Sequence, residues 1–158
     1  MYITRHAKSS WASPGQDDFD RPLNERGLRE APMMAQRFAQ RNEPLPMLVS
    51  STAKRAISTA RAFAKALGDA PITERPEVYH APLQTLMHIV ESLPDAAQQV
   101  MVFGHNPGLS ELVEHLAGQG LGSIDPCTTV RIDLHVDSWK AAAADTGTAV
   151  WWDAPSED

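Results

Sequence analysis

The sequence predicts an α/β fold, a mostly parallel sheet held between two layers of helices. Three observations predict it. Short apolar segments of strand length alternate along the chain with longer segments whose apolar residues recur at helical spacing. One strand segment, QVMVFGH, is almost continuously apolar, as expected of a strand covered on both faces. The 158 residues also suffice for one core. A chain of this length buries about 70% of its unfolded surface and needs neither disulfide nor metal to fold.

Each element follows in order. MYITR gives a first strand, Tyr2 to Arg5, and GQDDFDRP a polar loop. A helix follows from Asn24, with Leu28, Ala31, Met34 and Phe38 on one side. Pro32 falls inside it, which predicts a kink or a late start, because proline removes a helical hydrogen bond. PMLVSS is a second strand ending at Ser50 and Ser51. TAKRAISTARAFAKAL is a helix with Ala53, Ala56, Ile57, Ala60, Phe63, Ala64 and Leu67 on one face, stopped by Gly68. ITERPEVYH is strand or extended. Pro82 opens a third helix, whose face is Leu83, Leu86, Met87, Val90 and Leu93. After QVMVFGH, Pro107 opens a fourth, with Leu109, Leu112, Val113 and Leu116 inward and Gly118 as its stop. GQGLGSIDP reads as a flexible loop, TTVRIDLHV alternates as a half-buried strand, and TAVWWD pairs with it. One domain over residues 1–153 with a loose acidic tail at 154–158 is the expected organisation.

The composition narrows the function. A formal net charge of −6 argues against a general nucleic-acid binder, for which a basic stripe is expected. The first residues lack the apolar core of a signal peptide, and no apolar run approaches membrane-spanning length. The lone Cys127 has no partner within the chain and suits a reducing compartment, so a cytoplasmic protein is expected. The histidines at 6, 80, 88, 105, 115 and 135 show no paired ligand spacing, and neither metal nor cofactor is expected.

Against that acidity, RHAKSSW at Arg5 to Trp11 gathers cations and hydroxyls in one place. Open α/β sheets bind ligands at the carboxyl ends of their strands. That rule selects Arg5 and His6 after the first strand, Ser51 after the second with Arg55 in the next turn, and His105 after QVMVFG. Such a set suits a phosphoryl group. Arginine presents a fork of donors that matches phosphate oxygens, and helix N-termini add backbone N–H groups. One histidine can attack phosphorus when its attacking nitrogen is unprotonated, and neighbouring arginines favour that state. The other can hydrogen-bond the charge that builds on the phosphoryl oxygens.

Four blocks in order, RHAKSSW, DFDRPLNERG, SSTAKRAISTA and VFGHNPGL, resemble the histidine phosphatase superfamily with its phosphoglycerate-mutase-like fold. They are most similar to its SixA-like phosphohistidine phosphatase branch. The resemblance implies a three-layer α/β/α sandwich. It implies that His6 is the nucleophile that becomes phosphohistidine, that Arg5 and Arg55 are phosphate ligands, and that His105 is the second pocket histidine. Ala7 stands where the superfamily usually has glycine, as in the SixA-like branch, and Ala12 where mutases carry a phosphate-holding asparagine. No acidic general acid matches between Arg55 and His105, although Glu74, Glu77 and His80 are conceivable donors. Alkyl esters leave as poor alkoxides and need a proton, whereas a protonated phosphoramidate leaves as neutral imidazole. A missing acid therefore tilts the substrate towards phosphohistidine.

The expectation is a phosphatase acting on a phosphate-bearing substrate, foremost a phosphohistidine protein, with no nucleic acid and no membrane as partners. A small-molecule phosphomonoesterase and a phosphate-recognition module without turnover are the alternatives. Lys8, Ser9, Asn106 and His80 are candidate substrate contacts. Ser51 is read as shaping its turn, Asp20 to Gly27 as structural, and His88, His115 and His135 as outside the site. Trp139, Trp151 and Trp152 are read as packing for the last strands.

Overall fold

The structure is a computed structural model and describes residues 1–155. Its elements run β1 (Tyr2–Arg5), α1 (Glu25–Gln40), β2 (Met47–Ser50), α2 (Lys54–Ala66), β3 (Ile72–Glu74), α3 (Leu83–Glu91), β4 (Val100–Gly104), α4 (Gly108–Ala117), β5 (Thr129–Leu134) and β6 (Gly147–Asp153). The strands make one sheet in the order β3-β2-β4-β1-β5-β6. The first four in that order are parallel, and β5 and β6 join antiparallel, β6 pairing with β5 as the sequence suggests.

Side-chain alternation on the parallel strands builds the two interfaces of an α/β/α sandwich. Tyr2, Met101 and Leu48 stand side by side and pack under α1 and α2 with Phe38 and Phe63. Ile3, Val102 and Val49, one position on, face α3 and α4 with Leu86, Val90, Leu109 and Leu112. Burial on both faces is why β4 reads as unbroken apolar sequence.

Three expectations need correction. Leu28 does not face the core: it is 62% exposed, and Gly27, Glu30, Ala31, Met34, Ala35 and Phe38 make the buried side of α1. The cause is a close approach. A β-carbon at Gly27 would come within 2.1 Å of the Lys8 carbonyl oxygen, so glycine must turn inward and Leu28 is rotated out. Of the two effects expected of Pro32, the late start does not occur, since Asn24 caps the helix by accepting the Gly27 N–H at 2.8 Å. Pro32 lies with Leu28 on the exposed side. Trp152 is 55% exposed and packs nothing central, whereas Trp139 is buried and Trp151 packs against Tyr2 and Phe38. Of the tail, residues 156–158 lie outside the described residues.

The DFDRPLNERG block is explained by the same contact. Asn24 N–H donates to the Lys8 carbonyl, and Ser9 forms an isolated antiparallel bridge with Leu23. The block clamps the segment after β1 against the first turn of α1.

Candidate active site

A cavity of about 370 Å³ opens at the carboxyl ends of the parallel strands. Arg5 and His6 reach it from β1, Arg55 from the first turn of α2, and His105 from the end of β4. Lys8, Ser9, Asn106 and His80 also line it, so the four catalytic candidates and the four candidate substrate contacts border one hollow. Trp11, Asp18, Arg21 and Pro126 complete the wall.

The His6 ring is 8% exposed, and its Nδ1 lies 2.7 Å from the Ala7 carbonyl oxygen. Only an N–H bonds a carbonyl, so the proton sits on Nδ1 and the Nε2 lone pair is free. Burial lowers the His6 pKa to about 4; the Ala7 bond opposes this, and Arg55, Arg5 and Arg21 reinforce it. Neutral imidazole with a free Nε2 is the form a nucleophile requires. The backbone carrying it is pinned from three sides. His6 N–H donates to Gly104, Cys127 N–H to the Arg5 and His6 carbonyls, and Ala7 N–H to Thr59 Oγ1 at 3.0 Å.

His105 is neutral as well. Burial above all, with the Arg55 charge beside it, lowers its pKa to about 2. Its Nε2 is 2.8 Å from Ser51 Oγ, which has no other acceptor for its hydroxyl proton among the described residues. Donation by that hydroxyl to Nε2 assigns the imidazole proton to Nδ1. That Nδ1, together with Arg5 Nε and Arg55 Nε, is buried without a hydrogen-bond partner among the described residues. Unpartnered buried polar groups are costly, and their concentration in one wall marks a place built for a ligand that accepts hydrogen bonds.

One anion sits among these cations. Asp18 takes Arg21 Nη1 on Oδ1 at 2.9 Å, and on Oδ2 it takes Arg55 Nη2 at 2.9 Å and the Tyr79 hydroxyl at 2.5 Å. Burial works against its charge, but the bonds from Tyr79, Arg21 and Arg55 outweigh burial and hold the carboxyl well below the usual carboxylate range. Arg21 is 7% exposed, held by the Ser10 carbonyl and Ser9 Oγ, and lies 3.2 Å from the centre of the Trp11 ring.

The family model for the histidine phosphatase superfamily (branch 1) matches residues 1–80, half of the 158-residue chain. The chain belongs to the histidine phosphatase superfamily. An uncharacterized protein of Mycobacterium tuberculosis is 34% identical over 113 residues, covering 72% of this chain and 69% of that one. A structure assigned as the phosphohistidine phosphatase SixA of Agrobacterium tumefaciens is 31% identical with a TM-score of 0.82, covering 98% of this chain and 97% of that one. A protein histidine phosphatase SixA complexed with tungstate gives a TM-score of 0.81 at 20% identity, covering 96% of this chain and 94% of that one, which bears on the fold alone.

Within this superfamily site, several contacts refine the reading of the sequence. Asn106 gives its amide hydrogens to Ser123 Oγ and the Ile124 carbonyl, and its carbonyl accepts from Ser110, so it orients the loop after α4. That loop is not idle, because the Ile124 carbonyl also holds Arg5 Nη1 at 2.9 Å. Ser9 secures Arg21. Lys8 is exposed at the rim. Glu74 is exposed on β3 and Glu77 pairs with Arg75, so of the three conceivable proton donors only His80 lines the cavity. Asp18, Arg21, Tyr79 and Thr59 were not singled out by the sequence. Asp18 meets Arg55 across 37 positions, a pairing that leaves no periodic trace. Arg21 sits in a block readable as a turn and cap, and Thr59 looks like any small residue on a helix face.

The neutral histidines make stability sensitive to acid. A folded pKa below the unfolded value of about 6.5 means that the unfolded chain takes up the proton first. The stability they contribute is full above pH 6.5 and declines as pH falls towards 4 for His6 and lower still for His105. Denaturant melts of the wild type and His6→Ala at pH 7 and pH 5 check the sign. The wild type loses more on acidification, by about 2 kcal/mol, which is the His6 share.

Proposed function

We propose that this superfamily member is a phosphatase that hydrolyses protein phosphohistidine through a covalent phosphohistidine on His6. The observation that carries the reading is the tautomer of His6: Nδ1–H is committed to Ala7, and Nε2 is left free in a cavity walled by Arg5, Arg55 and His105. His6 Nε2 attacks phosphorus in line with the leaving group. The N–P bond forms as the bond from phosphorus to the leaving atom breaks, and that electron pair goes to the leaving atom. Arg5 and Arg55 neutralise the phosphoryl oxygens, and His105 Nδ1–H donates to one of them. Water then attacks phosphorus, breaks the N–P bond and releases phosphate.

Phosphohistidine is favoured over a small ester by two features. Among the described residues no protonated carboxyl lines the cavity, since Asp18 is held as a carboxylate by Arg21, Arg55 and Tyr79. The mouth carries Trp11 at 78% exposure beside exposed Lys8, which leaves room for a protein surface. The name of the A. tumefaciens relative points the same way. A mutase reading lacks support, because Ala12 replaces the phosphate-holding asparagine of that branch. A recognition module without turnover would not need a nucleophile prepared as His6 is. The buried free thiol of Cys127 suits action in a reducing cytoplasm.

A substrate panel tests the reading. Catalytic efficiency on a phosphohistidine protein is expected to exceed that on alkyl and sugar phosphates by at least about 100-fold, because a protonated phosphoramidate leaves as neutral imidazole whereas an alkoxide is a poor leaving group even beside a proton donor. Equal efficiency on a simple alkyl phosphate contradicts the substrate assignment.

A further inference from the structure

The remaining mouth residue with proton chemistry is His80, and its placement is specific. It follows a 3-10 turn at Pro76–Val78 and precedes α3, on a backbone with φ of 49°. A side-chain-bearing residue is uncommon in that left-handed region, and such strain gathers at functional sites. The segment is pressed into place by α4. A β-carbon at Gly108 would come within 2.3 Å of the Ala81 carbonyl oxygen, so glycine at the start of α4 lets the chain after His80 approach. Tyr79 stacks on the imidazole with ring centres 4.2 Å apart. His105 neighbours both other rings, 5.2 Å from His6 and 5.4 Å from His80.

Depth separates the three histidines. His6 and His105 are buried, whereas the His80 side chain is 52% exposed at the rim. A nucleophile at the floor drives the leaving group outward, towards that rim. The Nε2 of His80 lies 3.2 Å from Arg55 Nη2 and 3.3 Å from Asp18 Oδ2. Arg55 Nη2 is a donor only and Asp18 Oδ2 an acceptor only, so this nitrogen has a partner with or without its proton. A phosphate bound to Arg55 Nη2 therefore lies beside the same nitrogen.

We propose that His80 is the leaving-group acid of this site, with Asp18 as the residue that positions it. The proposal rests on the phosphatase reading above and adds the missing proton. In the first half-reaction His6 Nε2 bonds to phosphorus, the bond to the leaving atom breaks, and the His80 Nε2 proton passes to that atom together with the electron pair of the broken bond. In the second, water bonds to phosphorus, the His6 N–P bond breaks, and the water proton passes to His80, restoring it. Asp18 Oδ2 accepts from Nε2–H and holds that nitrogen beside Arg55 at the edge of the cavity. The groups facing His80 are Asp18 from the loop before α1, Arg55 from α2, His105 from the end of β4, and Tyr79 beside it.

The test is the dependence on leaving group. His80→Asn removes the acid and keeps a residue that tolerates the left-handed backbone. kcat/KM is measured for wild type and variant on 2,4-dinitrophenyl phosphate, whose phenolate departs without a proton, and on phenyl phosphate, whose phenolate does not. The ratio of efficiencies, good over poor leaving group, is expected to rise by about 100-fold in His80→Asn, the lower range of general acid catalysis. An unchanged ratio, with both substrates slowed alike, overturns the proposal and makes His80 a structural residue. Asp18→Asn is expected to raise the same leaving-group ratio by a smaller factor, because His80 Nε2 loses the acceptor 3.3 Å away that orients it. An unchanged ratio in Asp18→Asn removes Asp18 from the scheme. A wild type that turns over neither ester nor phosphohistidine, and takes no label on His6, fails the phosphatase reading itself and is distinct from either result.

Discussion

His6→Ala is expected to lower kcat/KM by at least about 10⁴-fold on every phosphorylated substrate, since removing the nucleophile of a covalent mechanism leaves only binding and electrostatic residues. The same variant should stay folded. The His6 ring makes its hydrogen bond to the adjacent Ala7 carbonyl, and the backbone around it is fixed by Gly104, Cys127 and Thr59, all of which the substitution keeps. Far-ultraviolet circular dichroism together with turnover checks both halves. Retained turnover in a folded variant excludes attack by His6.

Arg55→Ala is expected to cost about 10³-fold or more in kcat/KM, in the range of arginines that neutralise a transferring phosphoryl group. Its loss is wider than one charge. Arg55 Nη1 donates to the Asp18 carbonyl at 2.7 Å and Nη2 to the Asp18 carboxylate at 2.9 Å, and Nε has no partner among the described residues. The residue therefore holds the loop before α1 as well as the cavity. Arg55→Lys should not restore activity, because an ammonium lacks the planar fork that serves several partners at once. Inhibition by inorganic phosphate reads the binding share, and kcat the rest. Near wild-type efficiency in Arg55→Lys would reduce Arg55 to a point charge.

What the sequence made legible follows from what periodicity and strand ends encode. The alternation of elements, the continuously apolar β4 and the Gly68 and Gly118 stops placed the parallel strands and helices, because burial on both faces leaves a direct trace in residue type. The rule that ligands gather at strand carboxyl ends then selects Arg5, His6, Arg55 and His105 from the sequence. Other features depended on contacts between distant residues. Leu28 has the right spacing for the core and is displaced by the Lys8 carbonyl against Gly27, a backbone approach that hydrophobic pattern does not record. Asp18 looked like one of several acids in a polar loop. Its meaning appears only when Arg55, Arg21 and Tyr79 converge on its carboxylate. Likewise Asn106 lies at a strand end among functional residues, yet its amide serves the Ser123–Ile124 loop.

The most direct test of the account is chemical trapping of the intermediate. Protein mixed with radiolabelled phosphohistidine protein is quenched within the first turnover, kept alkaline to preserve an N–P bond, and mapped by mass spectrometry. The account predicts acid-labile phosphate on the His6 peptide, appearing and decaying at rates that match turnover. Steady hydrolysis without label on His6, or with label on another residue, contradicts it.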